Sequence, residues 1–179
     1  MLRSPRVIAA ALVAALLGAG GGLLWTAGSD AAPTKSQTLF RKTLLADAKT
    51  TNAVKQLLTD GGGFVARDIA FSDLTGDGRL DAVVLVETGG AAGAVALYVF
   101  STHGMAADSA LRVVYRSQRL YRASGEVSGS ALNVRMPRYA AGDDVCCPAK
   151  ILERTYSWSD AAKTLLRRGA PRVLPGPTA

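Results

Sequence analysis

Three aspartates spaced four apart, Asp73, Asp77 and Asp81, carry the strongest chemical signal in the chain. They lie in the run Asp73-Leu74-Thr75-Gly76-Asp77-Gly78-Arg79-Leu80-Asp81, with Ala82-Val83-Val84-Leu85-Val86 directly after it. Calcium takes six to eight oxygen ligands, and a short acidic loop supplies them from alternate positions. Asp73, Thr75, Asp77, the Arg79 carbonyl and Asp81 would fall at positions 1, 3, 5, 7 and 9 of such a loop, with Gly78 at its sharp bend. The competing reading is a turn braced by its own carboxylates. In that arrangement each aspartate accepts backbone N–H groups, and Gly76 and Gly78 supply positive φ.

Two departures weaken the calcium reading. Thr75 offers a hydroxyl where Asp or Asn would bind more strongly, and Val84 occupies the place of the bidentate glutamate of an EF-hand. The short loop resembles those of FG-GAP and related β-repeat proteins, in which calcium is held between two strands.

The second chemical feature is Cys146-Cys147-Pro148, which contains both cysteines of the chain. Cysteines of an exported protein usually pair. Neighbouring residues can pair only through a strained eight-membered ring, since ordinary disulfides keep their Cα atoms well apart. A vicinal disulfide, two buried thiols and an intermolecular link all remain open. The C-x-x-C spacing that tunes a reactive thiolate is absent.

The rest of the inventory argues against catalysis. His103 is the sole histidine, beside Gly104, and reads as a surface loop residue. Asp143-Asp144 reads as a solvated acidic pair. No G-x-S-x-G, H-E-x-x-H or phosphate-binding loop occurs. A metal-assisted hydrolase built on Asp73, Asp77 and Asp81 is the weakest of the functional readings, because structural acid clusters outnumber catalytic ones that lack histidine.

The elements that position these residues follow from punctuation and periodicity. Arg3 and Arg6, the apolar run Val7 to Leu17 and the small residues Ser29-Asp30-Ala31 read as an export signal over 1–31. Residues 7–25 would serve instead as a membrane tether if the signal is not cleaved. Residues 32–36 read as a spacer and 37–168 as a single exported domain, leaving 169–179 as a flexible proline-rich tail. Ser36 is the expected N-cap of a helix from about Gln37 to Ala48, and a second helix is expected over Asn52 to Thr59. From Phe64 onward the pattern is strand. Val65, Ile69 and Phe71 form one buried face, residues 82–86 and 95–100 are apolar on both faces, and Leu111, Val113 and Tyr115 oppose Arg112, Val114 and Arg116. The expected fold is α+β, with one or two N-terminal helices packed on a mainly antiparallel sheet of about seven strands.

The chain is 49% apolar with a net charge of +7. Removal of residues 1–31 takes Arg3, Arg6 and Asp30 with it and leaves +6. An exported basic domain has no nucleic acid to meet. Its electrostatic partners would be an anionic envelope polymer, a lipid headgroup or another envelope protein; the alternative is a solvated basic surface that aids solubility. The expected contact surfaces are the strand face with Arg112 and Arg116 and the face shared by Tyr156 and Trp158, the latter pair being a core feature if the sheet is covered.

The order D-L-T-G-D-G-R-L-D-A-V-V-L-V, a glycine-rich hairpin into A-L-Y-V-F, then G-D-D-V-C-C-P and Y-S-W resembles the LppP/LprE family of actinobacterial envelope lipoproteins, over about Ala53 to Leu166. The Cys-Cys-Pro step followed by Tyr156-x-Trp158 is its most specific part. The resemblance implies an exported, envelope-associated domain of undefined activity and brings no catalytic residues; the residues themselves read as a non-enzymatic binding module. Family lipoproteins carry a cysteine directly after the signal; here no cysteine precedes Cys146. The expected state is therefore a released protein, or one held by its signal helix, rather than a lipidated one.

Overall fold

A computed structural model describes residues 32–104 and 111–177, so the expected export signal lies outside the described residues. Helix α1 spans Lys35–Ala46. Its N-cap is Thr34, not Ser36: the Thr34 hydroxyl accepts the Gln37 N–H while the Gln37 side chain accepts the Thr34 N–H, a reciprocal capping box. The helix thus begins inside the expected spacer. Helix α2 spans Asn52–Thr59, and the Gly61 N–H closes on the Gln56 carbonyl.

Among the described residues nine antiparallel strands follow, in two sheets rather than one sheet of seven. The first sheet contains β1 (Phe64–Val65), β2 (Ala70–Ser72), β3 (Asp81–Glu87), β4 (Ala94–Ser101) and β5 (Arg112–Gln118). Its order is β1-β3-β4-β5, and β2 also pairs with β3. The second sheet is a meander, β6 (Ser124–Ser128), β7 (Ala131–Arg138), β8 (Lys150–Ser159) and β9 (Thr164–Pro175), in sequence order.

Two apolar layers explain why β3 and β4 are hydrophobic on both faces. On one face of the first sheet, α1 and α2 bury Phe40, Leu44, Val54 and Leu58 against Val84, Val86, Tyr98 and Phe100. The Phe40 and Phe100 rings lie 4.7 Å apart. On the other face Val83, Leu97, Val99 and Val114 meet Leu132, Val134 and Leu165 of the second sheet. Side chains such as Leu44 and Leu97, both 0% exposed, each contribute about 1.5–3 kcal/mol of transfer free energy. The result is three layers: helices, sheet, sheet.

Several expected alternations break where the backbone leaves the ladder. Residues 66–69 separate β1 from β2, so parity is not carried across; Val65 is buried, but Phe71 is 55% exposed. In β5, Phe100 pairs with Val113 and Val99 with Tyr115, leaving Val114 as a bulge. Val113 therefore joins the helix-side core while Val114 and Tyr115 join the inter-sheet core. Arg112 and Arg116 do not share one unbroken strand face as expected. The segment after Gly169 is strand, not a loose tail. Thr155 pairs with Arg168 and Glu153 with Arg172, so residues 169–171 bulge opposite Arg154, with Gly169 at φ 63°. Pro171 sits in that bulge, where no ladder N–H is required.

The connection between the sheets is short, residues 119–123, and the sheets approach closely beside it. A Cβ built on Gly125 of β6 would stand 2.7 Å from Leu97 Cδ1.

Candidate functional site

The carboxylates of the acidic segment between β2 and β3 brace its own backbone. Asp73 Oδ1 accepts the N–H groups of Gly76 and Asp77 at 2.7 and 3.1 Å, and Asp73 Oδ2 that of Gly78 at 2.9 Å. Asp81 is 1% exposed, and its Oδ2 accepts both the Leu74 and Thr75 N–H groups at 2.9 Å. Gly76 and Gly78 take φ of 75° and 78°, as the turn requires. Asp77 accepts the Arg79 N–H through Oδ1 and binds the Arg79 guanidinium through Oδ2 at 2.9 Å. The Arg79 guanidinium also donates to the Thr102 carbonyl.

These contacts are those of a turn braced by its own carboxylates. Two buried oxygens of this segment, Thr75 Oγ1 and Asp81 Oδ1, have no hydrogen-bond partner. Among the described residues no three acidic, histidine or cysteine side chains are grouped to hold a metal. Asp73→Ala should lower stability by about 1–2 kcal/mol through lost charge-assisted bonds. The same loss in millimolar calcium and in chelator, read from paired thermal melts, is the expected result; a loss confined to calcium would restore the metal reading.

His103 was legible only as a surface residue, yet its side chain is 17% exposed and stands between two acids. Nδ1 lies 3.5 Å from Asp77 Oδ2 and Nε2 lies 3.8 Å from Asp160 Oδ1. The ring packs edge-on to Trp158 at 5.0 Å. Burial pushes the Asp77 carboxyl up, but the Arg79 N–H and guanidinium, helped by His103, outweigh it and hold the group below its ordinary value. Asp160 is likewise held low by the Trp158 indole N–H and Lys163. The ring thus lies where the acidic loop, the end of β4 and the β8–β9 turn meet, and its Nδ1 is buried without a hydrogen-bond partner.

Trp158 and Tyr156 pack toward the inter-sheet core rather than forming an open aromatic face. The Tyr156 ring lies tilted against Tyr115, with centroids 5.1 Å apart. Burial and the adjacent Tyr156 raise the Tyr115 hydroxyl above its usual range. The expected contact surface at Tyr156 and Trp158 is thereby largely taken up by packing between the sheets.

The Cys146-Cys147 step lies in the loop between β7 and β8, with the two sulfurs facing each other and the Cα atoms 3.8 Å apart. Asp143 organises this loop, a role not read from the sequence: its Oδ2 accepts the N–H groups of Ala140 at 2.8 Å and Ala149 at 2.6 Å. Those two backbone bonds lower its pKa. The Tyr139 hydroxyl donates to the Val145 carbonyl. Asp143 thus acts as a clamp at the base of the loop, while Asp144 is exposed.

Arg112 and Arg116 come together with other cations at the edge of β5. A polar cleft of about 320 Å³ is lined by Lys49, Arg112, Arg116 and Lys163, with Val113, Val114, Ala162 and Thr164 between them. Arg116 pairs with Asp47 at 3.3 Å, and Lys163 with Asp160 at 3.3 Å. The Arg112 guanidinium donates to the His103 carbonyl, and Arg116 Nε is buried without a partner. Gln118 positions the loop that carries Lys49. Its Oε1 accepts the Thr51 N–H at 2.8 Å and the buried Tyr98 hydroxyl at 3.0 Å, and its Nε2 donates to the Lys49 carbonyl. Burial pushes the Tyr98 hydroxyl up to about 12. The cleft therefore draws cations from three separate chain segments, which spacing along the sequence does not reveal.

Comparison with protein-family models, with curated proteins and with solved structures finds no match for this chain.

Proposed function

We propose that this chain is an exported, non-enzymatic binding module of the cell envelope, in line with the export and envelope association that its resemblance to the LppP/LprE lipoproteins implies. Its ligand is an anionic envelope polymer rich in phosphate or carboxylate, bound at the cleft beside β5. The observation that carries this reading is the convergence of Lys49, Arg112, Arg116 and Lys163 on one cleft. Among the described residues only Asp47 and Asp160 offset them by ion pairing there, which leaves a local excess of positive charge. A basic cleft of this kind concentrates polyanions and binds them more weakly as salt rises. The facing sulfurs of Cys146 and Cys147 support export, since such a pair persists as a disulfide only in an oxidising compartment.

The test is a titration of the chain with inorganic polyphosphate at several ionic strengths, alongside an Arg112→Glu/Lys163→Glu variant. Both side chains lie at the protein surface, so the fold should survive, as a thermal melt would verify. The expected result is micromolar binding to the parent chain, with at least a tenfold loss and a shallower salt dependence in the variant. Equal affinities for the two proteins would sink the assignment. Binding to anionic phospholipid vesicles but not to polyphosphate would replace the polymer with a lipid headgroup.

A further inference from the structure

A second cavity, separate in chemistry from the basic cleft, lies between α2 and the end of β3 and start of β4 in the first sheet. It has a volume of about 470 Å³, within the range of small-molecule sites. Ala53, Val54 and Leu57 of α2 and Val95 of β4 make its apolar wall, and Thr88 lies beside them. Val54 is 5% exposed and forms part of the helix-side core. Gly63 keeps the wall in place, because any Cβ there would strike the Leu57 side chain.

Among the described residues, the one charged residue lining this cavity is Arg119. Its side chain is exposed. Among the described residues no hydrogen bond or ion pair to this guanidinium is found. Arg119 also stands at φ 66°, a left-handed conformation that a glycine would adopt more cheaply. The neighbouring Leu120 N–H bonds to the Val95 carbonyl at 2.8 Å, which fixes the backbone beside the cavity. A strained arginine with no internal partner, held at the mouth of an apolar cavity, points to a ligand with complementary parts.

We propose that this cavity binds a single-chain anionic amphiphile, with its hydrocarbon tail against Leu57 and Val95 and its carboxylate or phosphate head on Arg119. Apolar burial supplies affinity, and the guanidinium supplies orientation and head-group selection. The site does not depend on the basic cleft and would stand if the polymer reading failed.

Photolabelling with a diazirine-bearing palmitate, below its micelle concentration and followed by peptide mass spectrometry, tests the proposal on the full chain. Label is expected on the α2 segment 52–59 and around Val95, competed by palmitate at least fivefold better than by hexadecanol. Arg119→Gly is the informative variant, because it relieves the backbone strain. It should melt at the same temperature or higher, yet lose at least fivefold of the labelling at these positions. Label confined to other segments would overturn the proposal, as would unchanged labelling in Arg119→Gly. Concentration-dependent self-association that blocks labelling and is abolished by Leu57→Ser would also overturn it, by assigning the cavity to a second copy.

Discussion

Asp81→Ala should lower the stability of the folded domain by about 3 kcal/mol, a drop of roughly 10 °C in melting midpoint for a domain of this size. Asp81 is almost wholly buried and bonds two backbone N–H groups through a single oxygen. Those donors belong to Leu74 and Thr75, 1% and 5% exposed, so water cannot easily replace the carboxylate. Leaving two buried N–H groups unpaired exceeds the usual cost of a surface substitution several-fold. The contrast with Asp81→Asn makes the prediction sharper. Since Oδ2 accepts both bonds and Oδ1 has no partner, an amide that keeps one oxygen in place should cost less than about 1 kcal/mol. Calorimetry of the two variants decides the matter. An Asn variant as unstable as the Ala variant would mean that the second oxygen also has work, such as holding a cation.

Gly125→Val should cost about 3 kcal/mol, and Gly125→Ala somewhat less. On intrinsic grounds the change to Ala would help by about 0.5–1 kcal/mol, because glycine weakens a strand. Steric contact reverses the sign. The added Cβ would lie 2.7 Å from Leu97 Cδ1 and 3.5 Å from Val83 Cγ1. Leu97 is 0% exposed and packed between the sheets, so its side chain has no free space to enter. Shortening that neighbour provides the check. The Gly125→Ala/Leu97→Val pair should be less unstable than the sum of its singles by about 1 kcal/mol, a coupling expected only of residues in contact. Strict additivity in denaturant titrations would show that the sheets do not meet as described.

The acidic loop was the most legible part of the fold. The glycines stand where the positive φ values fall, and the apolar run after Asp81 is the doubly covered strand β3. Both helices were also legible, although the first begins at Lys35 on a Thr34 cap and ends at Ala46, two residues before the expected Ala48. The division into two sheets was not readable, because hydrophobic alternation reports that a face is covered but not by which element. Local parity failed at Val114 and at 169–171, where a bulge moves side chains to the other face without any change in composition. The clustering of Lys49, Arg112, Arg116 and Lys163 was hidden for a different reason: it depends on strand pairing and on Gln118, a residue with no distinctive signal of its own.

The two sheets also divide cleanly along the chain. Every strand of the first precedes residue 119, and every strand of the second follows residue 123. No strand is threaded back, so the helices and first sheet can assemble from local hairpins before β6 to β9 are present. During that interval Val83, Leu97, Val99 and Val114 would lack the cover that Leu132, Val134 and Leu165 later provide. For a chain that emerges from its N-terminal end, the time needed to deliver the second meander is thus the time for which an apolar sheet face stands open to other molecules.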